Sequence, residues 1–237
     1  AAEVLQETER VQKALIGAVS HDLRTPLASI KVAASTLRTP GLSIAERDRV
    51  ELVETIDTEA DRLSRLVTNL LDVSRVQAGV LVVRSQPVAV VDLVHETLDG
   101  LRPMLVHRAV SVQLSEGLPL LDIDHVLVGQ ALANLVDNAV RHSPEGSAID
   151  VGARLRDDCL VELSVRDRGP GVAAAERARI FDLFYRTGPG EGSGVGLAIA
   201  KAFVEAHGQR IWVDDADGGG AIFRFTLPTV ALDVEHG

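Results

Sequence analysis

Apolar residues in the first third of the chain recur at the three-and-four spacing of an α-helix. Ile16, Leu23, Leu27, Ile30, Ala34 and Leu37 fall on one stripe, and Leu15, Val19, Pro26 and Ala33 on the adjoining one. Two adjoining stripes make a face too wide for a two-stranded seam. Thr39-Pro40-Gly41 breaks this helix, and Ser43-Ile44-Ala45-Glu46 is a capping box that starts the next. The second helix carries Val53, Ile56, Ala60, Leu63, Val67, Leu70 and Ser74 at the heptad spacing of a supercoiled bundle. Two such helices form a hairpin that cannot cover its own apolar face, so the pattern predicts a homodimer through residues 1–77, closed as a four-helix bundle.

After Gly79 the pattern changes to short β-rich runs separated by helical segments and glycine-rich loops, which sets a linker at 78–87 and a second domain over 88–237. A helix capped by Asp124 runs to just before Pro144. Leu160 to Val165 reads as a strand, with Cys159 expected as a small buried strand residue beside it. Gly192 to Lys201 opens a further helix, and Arg210 to Val213 with Ala221 to Leu227 reads as a closing hairpin. The fold class is therefore α+β: a helical hairpin followed by a sheet-and-helix domain.

Composition and charge narrow the function. Hydrophobic residues at 46% and charged residues at 24% are globular proportions with enough apolar surface for a core. The net charge of −10 argues against nucleic acid as the main partner, because phosphate neutralisation needs a surplus of Lys and Arg. Most of that acidity lies beyond residue 77: net −2 before it and −8 after. A single cysteine excludes an intramolecular disulfide and a multi-thiolate metal site. No stretch approaches the roughly 18 to 20 apolar residues that cross a bilayer, so no membrane contact is expected of this stretch. The opening Ala-Ala-Glu-Val-Leu reads as helix without an initiating Met. It suggests a cytoplasmic fragment of a longer chain anchored in a membrane.

Several residues carry candidate chemistry. With Leu23 at zero and about 100° per residue, His21 falls near 160° and Thr25 near 200°, facing solvent one turn apart. Pro26 follows inside the same helical run, where it bends the helix. Near pH 7 a neutral imidazole keeps a lone pair for attack on phosphorus, and the adjacent Asp22 is suited to hold the other ring proton. In the Asp124 helix, Asn134, Asn138, Arg141 and His142 share one face at i, i+4, i+7 and i+8. Amide oxygens are hard ligands that can share Mg²⁺ with phosphate oxygens, Arg141 suits a phosphate, and His142 suits a base. Asp167-Arg168-Gly169-Pro170-Gly171 follows a strand, where glycines permit a tight turn and an aspartate can accept from an exocyclic amine. Phe181, Phe184 and Tyr185, beside Arg186, are three of the chain's seven aromatic residues; such clustering normally means core. Gly192, Gly194 and Gly196 precede Leu197 at a helix start, an arrangement suited to phosphates.

Ser20-His21-Asp22-Leu23-Arg24-Thr25-Pro26-Leu27 resembles the phosphoacceptor box of sensor histidine kinases. Asn134 to Ser143 resembles their N box, Asp167 to Gly171 the first glycine box, Phe181 to Arg186 the F box, and Gly192 to Gly196 the later glycine box. The resemblance implies a gyrase-, chaperone- and histidine-kinase-type ATP-binding domain behind a dimerisation hairpin. It implies ATP and Mg²⁺ as cofactors, His21 as phosphoacceptor, and a response-regulator receiver domain as partner. It further implies Asn134 and Asn138 on the metal, Asp167 on the adenine amino group, and Thr25 positioning water for dephosphorylation of the regulator. Thr226 looks like the strand residue that supports the adenine-binding aspartate. Residues 187–191 correspond to a short lid, and the linker to a hinge over which the ATP-binding domain swings. A looser likeness is to the branch with potassium-responsive sensor kinases.

Two rivals remain. Related ATPases place a water-activating glutamate four residues before the metal-binding asparagine, where this chain has Asn134, which cannot serve as a base. A noncatalytic scaffold would bind Mg-ATP without labelling His21. Arg24 and Lys31 are either regulator contacts or solvated charges.

Overall fold

The computed structural model describes residues 23–40, 43–77, 81–157, 159–186 and 194–230. The chain divides into two compact units, Ala1–Arg75 and Val76–Gly237. In the first, α1 spans residues 23–38 and α2 spans Glu46–Gln77, a helical hairpin. Pro26 and Ala33, from the adjoining stripe, are buried, whereas Leu23, Ile30, Ala34 and Leu37 are half-buried. In α2, Ile56 and Leu63 are half-buried while Val53 and Val67 stay 52% and 48% exposed in the single chain. Hydroxyls that would otherwise weaken the helices satisfy themselves internally: Thr36, Thr55 and Thr68 each donate to the carbonyl four residues earlier.

The second unit runs β1 (Gln86–Val88), α3 (Val90–Gly100), α4 (Arg102–Leu105), β2 (Val110–Leu114), β3 (Leu121–Ile123), α5 (His125–His142), β4 (Ile149–Asp157), β5 (Leu160–Arg166), α6 (Gly196–Ala206), β6 (Ile211–Asp215) and β7 (Ala221–Pro228). The main sheet has the order β2-β4-β5-β7-β6; β2 lies parallel to β4 and the other neighbours are antiparallel. Alternation along the strands sorts the two faces. Val161, Leu163 and Val165 of β5 and Phe223, Phe225 and Leu227 of β7 are buried against Leu132, Leu135 and Val136 of α5 and Ile199 and Phe203 of α6. The opposite face carries polar side chains, and two of them are closed off from solvent: Glu162, 3% exposed, and its register partner Thr226, 1% exposed. Glu162 Oε1 accepts from Arg154 Nε at 3.0 Å and Arg224 Nη1 at 2.8 Å, with Arg156 Nη1 3.6 Å from Oε2. Trp212 is flanked on that face by the guanidinium groups of Arg156 and Arg210, 5.4 and 4.7 Å from its ring centre.

Two expectations are corrected here. Gln86 and Pro87, expected in the linker, are strand residues, because β1 pairs antiparallel with β3 in the register Gln86↔Ile123 and Pro87↔Asp122. Cys159 is exposed in the turn before β5 rather than buried in a strand; its N–H donates to Asp157 Oδ1 at 3.1 Å. The turn between β4 and β5 takes the residue that alternation alone would have put on the strand.

Candidate active site

The N-terminal half of α5 is fixed by its cap. Asp124 Oδ1 accepts from Val126 N and Leu127 N, and its Oδ2 accepts from Arg84 N at 3.0 Å. The Asp124 N–H donates to His207 Nε2 at 2.9 Å, so the proton of that imidazole resides on Nδ1, which donates to Phe203 O at 2.7 Å. The neutral ring therefore ties the end of α6 to the start of α5.

Leu127, Val128, Ala131, Leu132, Leu135, Val136 and Ala139 turn one side of α5 into the core. This leaves Asn134 and Asn138 half-buried along one edge, with Arg141 and His142 exposed at the end. Asn134 Nδ2 is buried and has no hydrogen-bond partner among the described residues. Gly196, the first residue of α6, sits over this side chain; a Cβ there would lie 3.5 Å from Asn134 Oδ1. Val195 at the N-cap has an apolar side chain that makes no capping hydrogen bond to the first N–H groups of α6. Arg141, expected to meet a phosphate, holds Asp137 with its guanidinium, Nε lying 2.7 Å from Oδ2.

Asp167 is 3% exposed at the end of β5. Its Oδ1 accepts from Gly169 N at 2.8 Å and from Ala221 N at 3.0 Å, whereas Oδ2 has no partner among the described residues. Two glycines make this loop possible. A side chain on Gly169 would strike the carbonyl of His142, and one on Gly220, whose φ is +91°, would strike the carbonyl of Asp167. The loop thus rests on the last turn of α5 from one side and on the start of β7 from the other.

Phe184 and Gly194 flank residues 187–193, which lie outside the described residues. The Phe184 N–H donates to Gly194 O at 2.9 Å, with φ of +65° and +66° at the two positions. A Cβ at Gly194 would press on Phe184 Cα and on the Tyr185 carbonyl. Phe181 is core, edge-on to Phe223 at 6.3 Å, whereas Phe184 is half-buried and Arg186 exposed. Desolvation, then the Glu176 carboxylate that accepts its hydroxyl proton, raises the Tyr185 phenol above its ordinary range, so it remains a neutral donor at pH 7.

The other expected positions fall as follows. Gly171, with φ +78°, packs on the Gly220 carbonyl, and Leu197 is half-buried in the first turn of α6. Thr226 does not support Asp167. It pairs with Glu162 across β5 and β7, whereas the Asp167 end of that ladder is Arg166↔Ile222. Its hydroxyl donates to Gln209 Oε1 at 2.8 Å. The Ala221 N–H takes the supporting role, and only the Gly218-Gly219-Gly220 run before it hinted at a backbone approach. His21, Asp22 and Gly192 lie outside the described residues; Thr25 is exposed on α1.

Residues 11–79 match the His Kinase A (phospho-acceptor) domain, and residues 123–231 match the histidine kinase-, DNA gyrase B- and HSP90-like ATPase domain. A solved mycobacterial sensor histidine kinase, MprB, is 31% identical with a TM-score of 0.57, covering 63% of this chain and 100% of its own. The chain belongs to the sensor histidine kinases. Full-length ShkA in complex with AMPPNP aligns over 92% of this chain and 46% of its own, with a TM-score of 0.64 and 27% identity. Sensor protein KdpD of Clostridium acetobutylicum is 34% identical over 94% of the chain, and alginate biosynthesis sensor protein KinB of Pseudomonas aeruginosa 36% identical over 93%. The chain spans only 25% and 37% of these two relatives. No helix among the described residues is long and apolar enough to cross a membrane.

Proposed function

We propose that this chain binds Mg-ATP in the unit carrying Asp167 and transfers the γ-phosphoryl group to His21, from which it passes to an aspartate of a response-regulator receiver domain. The observation that carries the ATP reading is the buried Asn134 Nδ2, without a hydrogen-bond partner among the described residues, beneath Gly196 at the start of α6. A buried amide without a partner costs about 1–3 kcal/mol, so the site is built for a group that satisfies it. Its two heteroatoms are interchangeable in assignment, and exchanging them offers a buried oxygen to a cation shared with phosphate. Asn134 and Asn138 are therefore the residues to hold Mg²⁺, which supplies charge neutralisation of the phosphates when bound. Gly194 and Gly196, with Gly192 beside them in the sequence, suit a close approach of main-chain N–H groups to phosphate oxygens.

In the transfer, a ring nitrogen of His21 forms the P–N bond while the bond from the γ-phosphorus to the β–γ bridging oxygen breaks. The electron pair leaves with ADP, and Asp22 stabilises the charge on the ring. The protein mainly positions the reactants. Val53 and Val67, exposed along the heptad stripe, favour a homodimer through residues 1–77. The exposed Thr25 suits a water-positioning role toward the phosphorylated regulator, with Arg24 and Lys31 exposed on the same helix. As a sensor kinase segment it is expected to lie on the cytoplasmic side of a membrane-anchored chain.

Incubation with γ-labelled ATP and Mg²⁺ tests the reading. The expected label on the protein is labile in acid, stable in base, and reduced to background when a chelator replaces Mg²⁺. Nucleotide binding with no label, in the presence of Mg²⁺, would instead favour a scaffold.

The adenine contact has its own test. In Asp167→Asn, the amide oxygen can still accept from Gly169 N and Ala221 N, but an NH₂ replaces the free Oδ2 and opposes the donor amine of adenine. Affinity for ATP, measured by calorimetry, is expected to fall about a hundredfold, or about 2.7 kcal/mol, with the melting temperature nearly unchanged. A drop below threefold would remove Asp167 from base recognition.

A further inference from the structure

Arg108, between α4 and β2, lies outside every recognised box, yet its guanidinium is spent wholly on the end of α5. Nη2 donates to Val140 O at 2.8 Å and Ser143 O at 3.2 Å; Nη1 donates to Pro144 O at 2.6 Å and Ser147 Oγ at 3.2 Å. A helix end leaves carbonyls without intrahelical partners, and a planar cation with donors in a fixed fork satisfies several at once while complementing the negative end of the helix dipole. A lysine ammonium lacks that fork.

The corner it grips is the one on which the Asp167 loop is built. Ser143 Oγ accepts from Arg168 N at 3.2 Å, one residue after Asp167. Gly169 approaches the His142 carbonyl too closely for any side chain. Arg168 itself reaches back to Ala148 O at 3.0 Å and to Asp150 at 2.7 Å. Any shift of residues 140–148 therefore displaces Arg168 and Gly169, and with them the N–H that orients the Asp167 carboxylate.

We propose that Arg108 is a positioning residue for base recognition: by clamping the end of α5 it sets the loop that aims Asp167 at the nucleobase. This rests on the reading of Asp167 as the adenine contact. It assigns to Arg108 part of the discrimination between adenine, which presents an amine at C6, and guanine, which presents a carbonyl there.

The test measures dissociation constants of ATP and GTP, with Mg²⁺, for the wild-type chain, Arg108→Ala and Arg108→Lys, at a temperature where circular dichroism shows each folded. Wild type is expected to prefer ATP. In Arg108→Ala, ATP affinity falls about tenfold while GTP affinity changes less than twofold to threefold, so the preference collapses; Arg108→Lys retains an intermediate preference. A purely structural arginine would lower the melting temperature, or lower both affinities in proportion through loss of folded protein, and leave the ATP-to-GTP ratio at the wild-type value. That result overturns the proposal. Should Arg108→Ala not fold, the ratio in Arg108→Lys decides alone: unchanged, it refutes the proposal; reduced, it supports it. If wild type and Asp167→Asn show the same ATP-to-GTP ratio, the reading of Asp167 has failed, and the proposal with it; a normal Asp167 effect with an unchanged Arg108 ratio refutes Arg108 alone.

Discussion

His21→Gln is expected to take up no acid-labile label from γ-labelled ATP, while its affinity for a nonhydrolysable ATP analogue equals that of the wild type. The amide nitrogen of glutamine has its lone pair delocalised into the carbonyl and is no nucleophile, whereas a neutral imidazole keeps one ring lone pair free. Glutamine is also a good helix former of similar reach, so the substitution does not threaten the hairpin. The residues proposed to bind ATP belong to the other compact unit, which is why binding and labelling separate in this variant. Quantitative label retention after acid and base treatment, with calorimetry on the same preparation, checks both halves. Label that persists in the variant places the phosphoacceptor elsewhere in the chain.

Much of the framework around the candidate site is legible in the sequence because it is written in local signals. Asp124 followed by apolar residues at three-and-four spacing, closed by Pro144, gave α5 and put Asn134 and Asn138 on one edge of it. Glycines after a strand marked the Asp167 turn, and glycines before an apolar run marked the start of α6. What stayed hidden depends on contacts between residues far apart in sequence. The family resemblance set Thr226 beside Asp167, and alternation, which assigns a strand residue to a face but not to an end of the ladder, offers no check on it; Thr226 lies opposite Glu162. Ala221 supports Asp167 through its main-chain N–H, a group that every non-proline residue carries and no motif displays. Pro87 looked like a linker residue; an edge position in the β1–β3 ribbon accommodates it, since a two-stranded ribbon leaves one side of each strand unpaired. Arg108 carried no signal at all, because its partners, three carbonyls and the Ser147 hydroxyl, lie 32 to 39 residues away.

Glu162 is the sharpest case of the same limit, and it yields the second large effect. Leu-Val-Glu-Leu-Ser-Val alternates as a half-solvated strand should, which would leave the carboxylate in water. In the fold, arginines from β4 and β7 close over it until only 3% remains exposed. Removing the carboxylate leaves Arg154, Arg156 and Arg224 gathered on one patch of sheet with Asp214 as the nearest remaining counter-ion, 3.3 Å from Arg224. Glu162→Ala is therefore expected to lower unfolding stability by about 3 kcal/mol in urea titration, the low end for breaking a buried pair, because Arg154 is 62% exposed and partly screened by solvent. Glu162→Gln keeps the volume and one acceptor and should lose about half as much. Added salt should narrow the difference between wild type and Glu162→Ala, since the cations left behind repel one another across solvent. Below the melting temperature of the variant, ATP affinity should not change, because the carboxylate points to the face of the sheet opposite α5 and α6. A loss under 1 kcal/mol would mean that the arginines contribute packing over a carboxylate that matters little, and a loss of ATP affinity in the folded variant would mean that the two faces of the sheet are coupled.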